Sequence, residues 1–131
     1  MKTLHIKSHK PTEMIDITRD VCTAICEAEI TAGQAVIFTP HTTAAITINE
    51  NADPDVCSDM IMGINKLVPL QDSYQHLEGN SAAHIKSSLF GASETVIINN
   101  GEAVLGTWQG IYFCEFDGPR QRQVHIQVIG K

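Results

Sequence analysis

Basic residues are scarce in this chain. Nine Lys and Arg stand against fifteen Asp and Glu, a formal net charge of -6 with histidines neutral. No broad cationic face is left to condense on phosphate backbones, so nucleic acid is not expected as a partner. Long apolar runs are also missing: none reaches the length that crosses a bilayer, and the opening MKTLHIKSHK lacks the apolar segment of a secretory signal. The expectation is a cytoplasmic protein without a membrane partner. Four cysteines occur without CxxC spacing, which argues against a zinc ribbon or a thioredoxin-type redox pair. Cys22 and Cys26, four apart on a predicted helix, read as small buried hydrophobes. No glycine-rich phosphate loop and no low-complexity tract is present.

What remains is a chain of 131 residues, 43% hydrophobic and 18% charged, long enough for one domain with its own core. TLHIKS and EMIDIT have the alternation of half-buried strands, and their proximity suggests an opening hairpin. Val21, Cys22, Ile25 and Cys26 recur at helical spacing behind Thr18, a candidate cap, predicting a helix over 19–28. QAVIFTP and TTAAITINE are two strands divided by Pro40-His41. In ADPDVCSDMIMGINKLVP, Asp53 is a cap, Pro54 suits the first helical position, and Val56, Met60, Ile64 and Leu67 form an apolar stripe. NSAAHIKSSLFG offers Asn80 as cap, Ile85 and Leu89 as the apolar pair, and Gly91 as terminator.

The remainder is almost continuous strand, with Asn100-Gly101 and Asp117-Gly118-Pro119 each marking a hairpin and Val124, Ile126 and Val128 alternating in the last strand. Together these predict an α+β fold: a two-layered, largely antiparallel β-sandwich with about three inserted helices, forming one domain over 1–131. Too few helices are available to cover both sheets, which predicts an oligomer.

Six histidines are present. His5, His9 and His125 fall on polar faces or near a terminus and read as solvated. His41 opens a strand at the rim of a sheet, where Asn49 and Glu50 end the same strand in polar residues; capping acids in a loop are the alternative reading. His84 lies one turn past Asn80, on a surface with Ser81, Ser87 and Ser88. The start of that helix, EGNSAAH, suits either a phosphate beside free amides or, with His76 and Glu78, a divalent metal such as zinc or manganese. In GTWQGIYFCEFDGPRQR, Trp108 shares a face with Tyr112, Cys114 and Phe116 and reads as core or subunit interface. Glu115, on the opposite face inside a predicted strand, needs a partner if buried, and Arg120 across the turn is the candidate.

Four motifs in order, MIDIT, PHTTAAITINENADPDV, HLEGNSAAHIKSSLFG and LGTWQGIYFCEFDGPRQR, resemble the YjbQ-like family over nearly the whole chain. Its members are often labelled secondary thiamine-phosphate synthases. The resemblance implies a compact α+β sandwich, a homotrimer with sites near subunit boundaries, and a metal or anion site built from the histidine motifs. Its polar positions correspond to His41, Asn49, Glu50 and Asp53, to His76, Glu78, Asn80 and His84, and to Gln109, Glu115 and Arg120.

The activity so implied joins a pyrimidine diphosphate to a thiazole phosphate, with a divalent cation (Mg, Zn or Mn) to neutralise the leaving diphosphate. On that reading His41, Glu50, His84, Glu115 and Arg120 are catalytic, and Asn49, Asn80, Ser81 and Gln109 hold the phosphorylated substrate. The metal falls to His41, His76, Glu78, His84 and Asp53. A metal-dependent hydrolase and a non-enzymatic metabolite- or phosphate-binding trimer are the alternatives, and the expected site unites the His84 helix with PHTTAAITINE of the same or a neighbouring subunit.

Overall fold

The computed structural model describes residues 1–131. Eight strands and three helices follow in the order β1 (Lys2–Lys7), β2 (Glu13–Asp16), α1 (Thr18–Glu27), β3 (Ala32–Phe38), β4 (Ala44–Glu50), α2 (Pro54–Leu67), α3 (Ser81–Phe90), β5 (Ser93–Asn99), β6 (Glu102–Ala103), β7 (Gln109–Glu115) and β8 (Gln121–Gly130). They form a five-stranded sheet, β1-β8-β3-β5-β6, and a three-stranded sheet, β2-β7-β4. Every strand pairing is antiparallel. The expected α+β sandwich with three helices is therefore the observed architecture.

Alternation along the strands explains the layers. Ala35, Ile37, Val96, Ile98, Val124 and Ile126 of the larger sheet face Ala44, Ile46, Ile111 and Phe113 of the smaller one, and Ile17, Val21, Ala24 and Ile25 close one side of this core. The other face of the smaller sheet is covered as well, because Ala45, Tyr112 and Cys114 pack with Ala83 of α3 and with Phe116. Strand β7, central and covered on both faces, is buried from Gly110 onward.

Two expected hairpins are absent. β1 pairs with β8 and β2 with β7, so the chain changes sheets between Lys7 and Glu13 and changes again between Glu115 and Gln121. The two crossings run side by side: the Ser8 amide donates to the Arg120 carbonyl at 3.0 Å and the Gly118 amide to the Pro11 carbonyl at 3.1 Å. Strand propensity is blind to this, since a strand pairs equally well with a distant partner whose alternation matches. The C-terminal third is accordingly not a meander, for β7 lies in one sheet and β6 and β8 in the other. The Asn100-Gly101 hairpin does form, with φ of 52° and 78° at its two central residues, as a tight primed turn requires.

The helices fall close to expectation but bury different faces. α1 begins at Thr18 without side-chain capping by Ile17; the Thr18 hydroxyl donates to Asp16 Oδ1 at 2.6 Å and accepts from the Ile111 amide at 2.8 Å. Val21, Ala24 and Ile25 are its buried residues, whereas Cys22 and Cys26 are exposed. Asp53 caps α2 by accepting from the Asp55 amide at 2.9 Å, with Pro54 in the first turn. The expected apolar stripe of α2 is nowhere fully buried, and Leu67 is exposed.

On α3 the expected stripe is reversed. Ile85 and Leu89 point outward, and Ala82, Ala83, Lys86 and Ser87 are the buried residues. The small side chains let α3 approach β4 closely, and the Ser87 hydroxyl donates to the Ala44 carbonyl at 2.6 Å. Asn80 precedes the helix without capping it through its side chain, and Gly91 ends it at φ 97°.

Candidate functional site

Three segments that change direction at one end of the sandwich meet around a polar cleft of about 440 Å³. The connection into β4 supplies His41 and Thr43, the approach to α3 supplies His76, Glu78, Asn80 and His84, and the β7–β8 crossing supplies Asp117, Arg120 and, at the start of β8, Arg122. Sequence-distant motifs thus converge because both ends of the crossing lie where β4 begins: Ala44 pairs with Glu115.

Each wall is held by a specific contact. His41 Nε2 accepts from the Gln123 amide at 2.9 Å, so the neutral ring carries its proton on Nδ1 and is a donor. Partial burial, the Arg122 charge and His125 lower its pKa, against an opposing pull from Glu115. His76 and His84 meet edge to face with ring centroids 5.5 Å apart, and His76 Nε2 lies 3.9 Å from Glu78 Oε2. Arg120 donates from Nε to the Asp117 carbonyl at 2.8 Å and from Nη2 to its carboxylate at 3.0 Å.

Asn80 Nδ2 donates to Asp117 Oδ2 at 2.9 Å, which fixes the amide orientation and leaves Oδ1 buried without a partner. The bond to Asp117 uses one of the two Nδ2 hydrogens of Asn80.

Glu115 is fully buried, and its partner is Arg122 rather than Arg120. Arg122 donates from Nε to Oε1 at 2.9 Å and from Nη2 to Oε2, the Ser8 hydroxyl donates to Oε1 at 2.6 Å, and the Asp117 amide to Oε2 at 3.0 Å. Burial pushes the Glu115 carboxyl up, but these hydrogen bonds and the Arg122 charge outweigh it and hold the carboxyl below its ordinary value. Sequence reading passed over Arg122. The signal was there, because Arg122 is in phase with the inward-facing Val124 and Ile126, where a charge demands a buried counter-charge.

The remaining expected residues lie elsewhere in the chain. Asn49 and Glu50 end β4 opposite Gly110 and Gln109, at the other end of the strand and about 20 Å from Ala44. Asn49 Oδ1 accepts from the Glu50 amide at 2.7 Å, Gln109 Oε1 accepts from the Gly106 amide at 2.8 Å, and Asp53 caps α2. Ser81 lines an adjoining hollow of about 400 Å³ with Tyr74, Gln75, His76, His84 and Ile85. Trp108 is 63% exposed and is not core.

His76, Glu78 and His84 offer the imidazole and carboxylate donors that suit zinc or manganese. Within the chain no three His, Cys, Asp or Glu side chains are preset as a metal site. His41 does not fit as a fourth ligand in this arrangement, since its Nε2 lone pair is taken and Nδ1 bears the proton, and Asp53 stands at the far end of the sheet.

The fold and cleft define a small two-sheet α+β protein whose polar residues gather where the chain crosses between sheets. The chain belongs to the family described as UPF0047 protein YjbQ-like, which matches residues 2–131. It is 57% identical over 131 residues to UPF0047 protein YugU of Bacillus subtilis, covering 99% of both chains. With a UPF0047 protein of Methanocaldococcus jannaschii it shares 55% identity over 125 residues, 95% of this chain and 91% of that one. The crystal structure of an uncharacterized YjbQ/UPF0047-family protein from Clostridium acetobutylicum superposes with a TM-score of 0.97 at 52% identity, covering 98% of this chain and all of that one. A YbjQ-like protein of unknown function from Sulfolobus solfataricus gives 0.96 at 29% identity, covering 99% and 96%.

Proposed function

We propose that the protein is an enzyme acting on a small phosphorylated substrate in the histidine cleft. The observation that carries this reading is the convergence of His41, His76, Glu78, His84 and Arg120, drawn from three separate segments, on one polar cleft. Helix capping alone does not account for such convergence, because none of these five side chains caps a helix.

A divalent metal on His76, Glu78 and His84 would add to the positive charge that Arg120 and Arg122 bring beside a leaving phosphate. Arg120, exposed on one side, reaches the same phosphate, and His41, as a neutral donor, orients a substrate oxygen. Glu115 acts indirectly by holding Arg122 against the Thr43 hydroxyl and carbonyl. Within this class the named candidate is a transferase joining a pyrimidine diphosphate to a thiazole phosphate, which rests on the family resemblance. Assembly as a homotrimer is part of the proposal, supported by exposed Leu89, Ile97 and Trp108.

The test is calorimetric titration of metal-stripped protein with zinc, manganese and magnesium, in wild type and His84→Ala, followed by turnover of the two precursors. Binding that is lost in the variant is expected. No binding of any metal to wild type would remove the metal-assisted reading, and turnover unaffected by His84→Ala would remove the site.

A further inference from the structure

The buried face of α3 carries a cation. Lys86 is only 5% exposed, its ammonium donates to Asn65 Oδ1 on α2, and the Phe116 ring centroid lies 6.0 Å away. None of the ion pairs of the chain includes it. An ammonium has three donors, and a single acceptor is in place here.

Lys86 stands in the wall of a cavity of about 480 Å³, distinct from the histidine cleft, bounded by Asn65, Leu70, Asn80, Phe116 and Asp117 among others. Asn80 also lines this wall, but its unpartnered Oδ1 is sealed from solvent and takes no part. The cavity therefore holds in its wall a cation lacking a counter-charge. Such a charge is costly in a native protein, and a bound anion is its complement.

We infer that this cavity binds a small oxyanion, with an anionic oxygen on Lys86. Inorganic phosphate and a short hydroxycarboxylate are the two anion types of that size that the experiment separates. Asp117 does not neutralise Lys86, because its carboxylate is engaged by Asn80 Nδ2 and Arg120. Leu70 and Phe116 supply apolar wall, which keeps the local dielectric low and strengthens the attraction. Asn80 and Asp117 also line the histidine cleft, so an anion here braces the residues from which His84 is presented. The inference stands on Lys86 and holds whether or not the cleft is catalytic.

The experiment follows the Lys86 signal in wild-type protein carrying 13C-labelled lysine, identified by its loss in the charge-retaining Lys86→Arg. At constant pH the protein is titrated with sodium phosphate and, separately, with sodium glycolate, against chloride of matched ionic strength. A saturable displacement by one of the two anions, beyond that with chloride, is expected, and the anion that acts identifies the source. By calorimetry the same anion should bind Lys86→Met about tenfold or more weakly, the scale of a lost charge-assisted contact, and should still bind His84→Ala. If neither anion displaces the signal beyond chloride, the inference is overturned. It is equally overturned if binding survives in Lys86→Met and is lost in His84→Ala, which would put the anion in the histidine cleft.

Discussion

Arg122 on β8 and Glu115 on β7 form a two-point ion pair across the junction of the two sheets, with side chains 5% and 0% exposed. Arg122 Nη2 also donates to the Thr43 hydroxyl at 2.8 Å and to its carbonyl at 3.3 Å. A single guanidinium thus ties the crossing after β7 to the entry into β4, the two places from which Arg120 and His41 reach the cleft.

Removing one member of this pair leaves the other charged and buried. Glu115→Ala and Arg122→Ala should each cost about 3–5 kcal/mol. The double variant should cost clearly less than their sum, since it leaves no orphan charge. Urea unfolding of the three variants checks this, and simple additivity would show that the pair is not coupled.

Acid should weaken the fold through the same carboxylate. The folded Glu115 pKa lies below its ordinary value, so between the two values the unfolded chain binds more protons. The contribution is complete above the unfolded glutamate value of about 4.3 and is lost as pH falls through that value toward the folded one. Stability measured from pH 6 downward, at roughly half-unit steps across the carboxylate range, should fall less steeply in Glu115→Gln than in wild type. Parallel curves would contradict the assignment.

His41 should titrate below the ordinary imidazole value of about 6.5, first because it is partly desolvated and next because Arg122 is near. With its folded pKa lowered, its contribution to stability is present above the unfolded value and lost as pH falls through the folded one. Two-dimensional NMR of the imidazole nitrogens should show the neutral Nδ1–H form at pH 7, as the Gln123 hydrogen bond requires. An Nε2–H form would exclude His41 as a donor on Nδ1.

Two glycines should respond in opposite directions to alanine. A Cβ at Gly118 would run into the Lys10 carbonyl, the Ser8 hydroxyl and the Glu115 side chain, whereas at Gly63 it would meet nothing. Gly118→Ala should destabilise by about 1–3 kcal/mol because the paired crossings must part. Gly63→Ala, inside α2, should stabilise by roughly 0.5–1 kcal/mol. Thermal unfolding of the pair provides the comparison.

The sequence by itself determined the inventory: strands by alternation, α2 by Asp53 and Pro54, and the Asn100-Gly101 turn by its need for positive φ. These are local properties, readable over a few residues because backbone geometry and side-chain period are local. Only the tertiary structure decided which strands pair, because β1 and β2 match β8 and β7 at the far end of the chain as well as they match each other. It also decided that Ala82, Ala83, Lys86 and Ser87, not Ile85 and Leu89, face β4, since helical spacing defines stripes without saying which one is covered. Finally, it gave Glu115 to Arg122 and separated Asn49, Glu50, Asp53 and Gln109 from the histidine cleft. Charge pairing and site membership depend on distances through space, and the extended backbone puts the two ends of β4 about 20 Å apart however close its motifs stand in sequence.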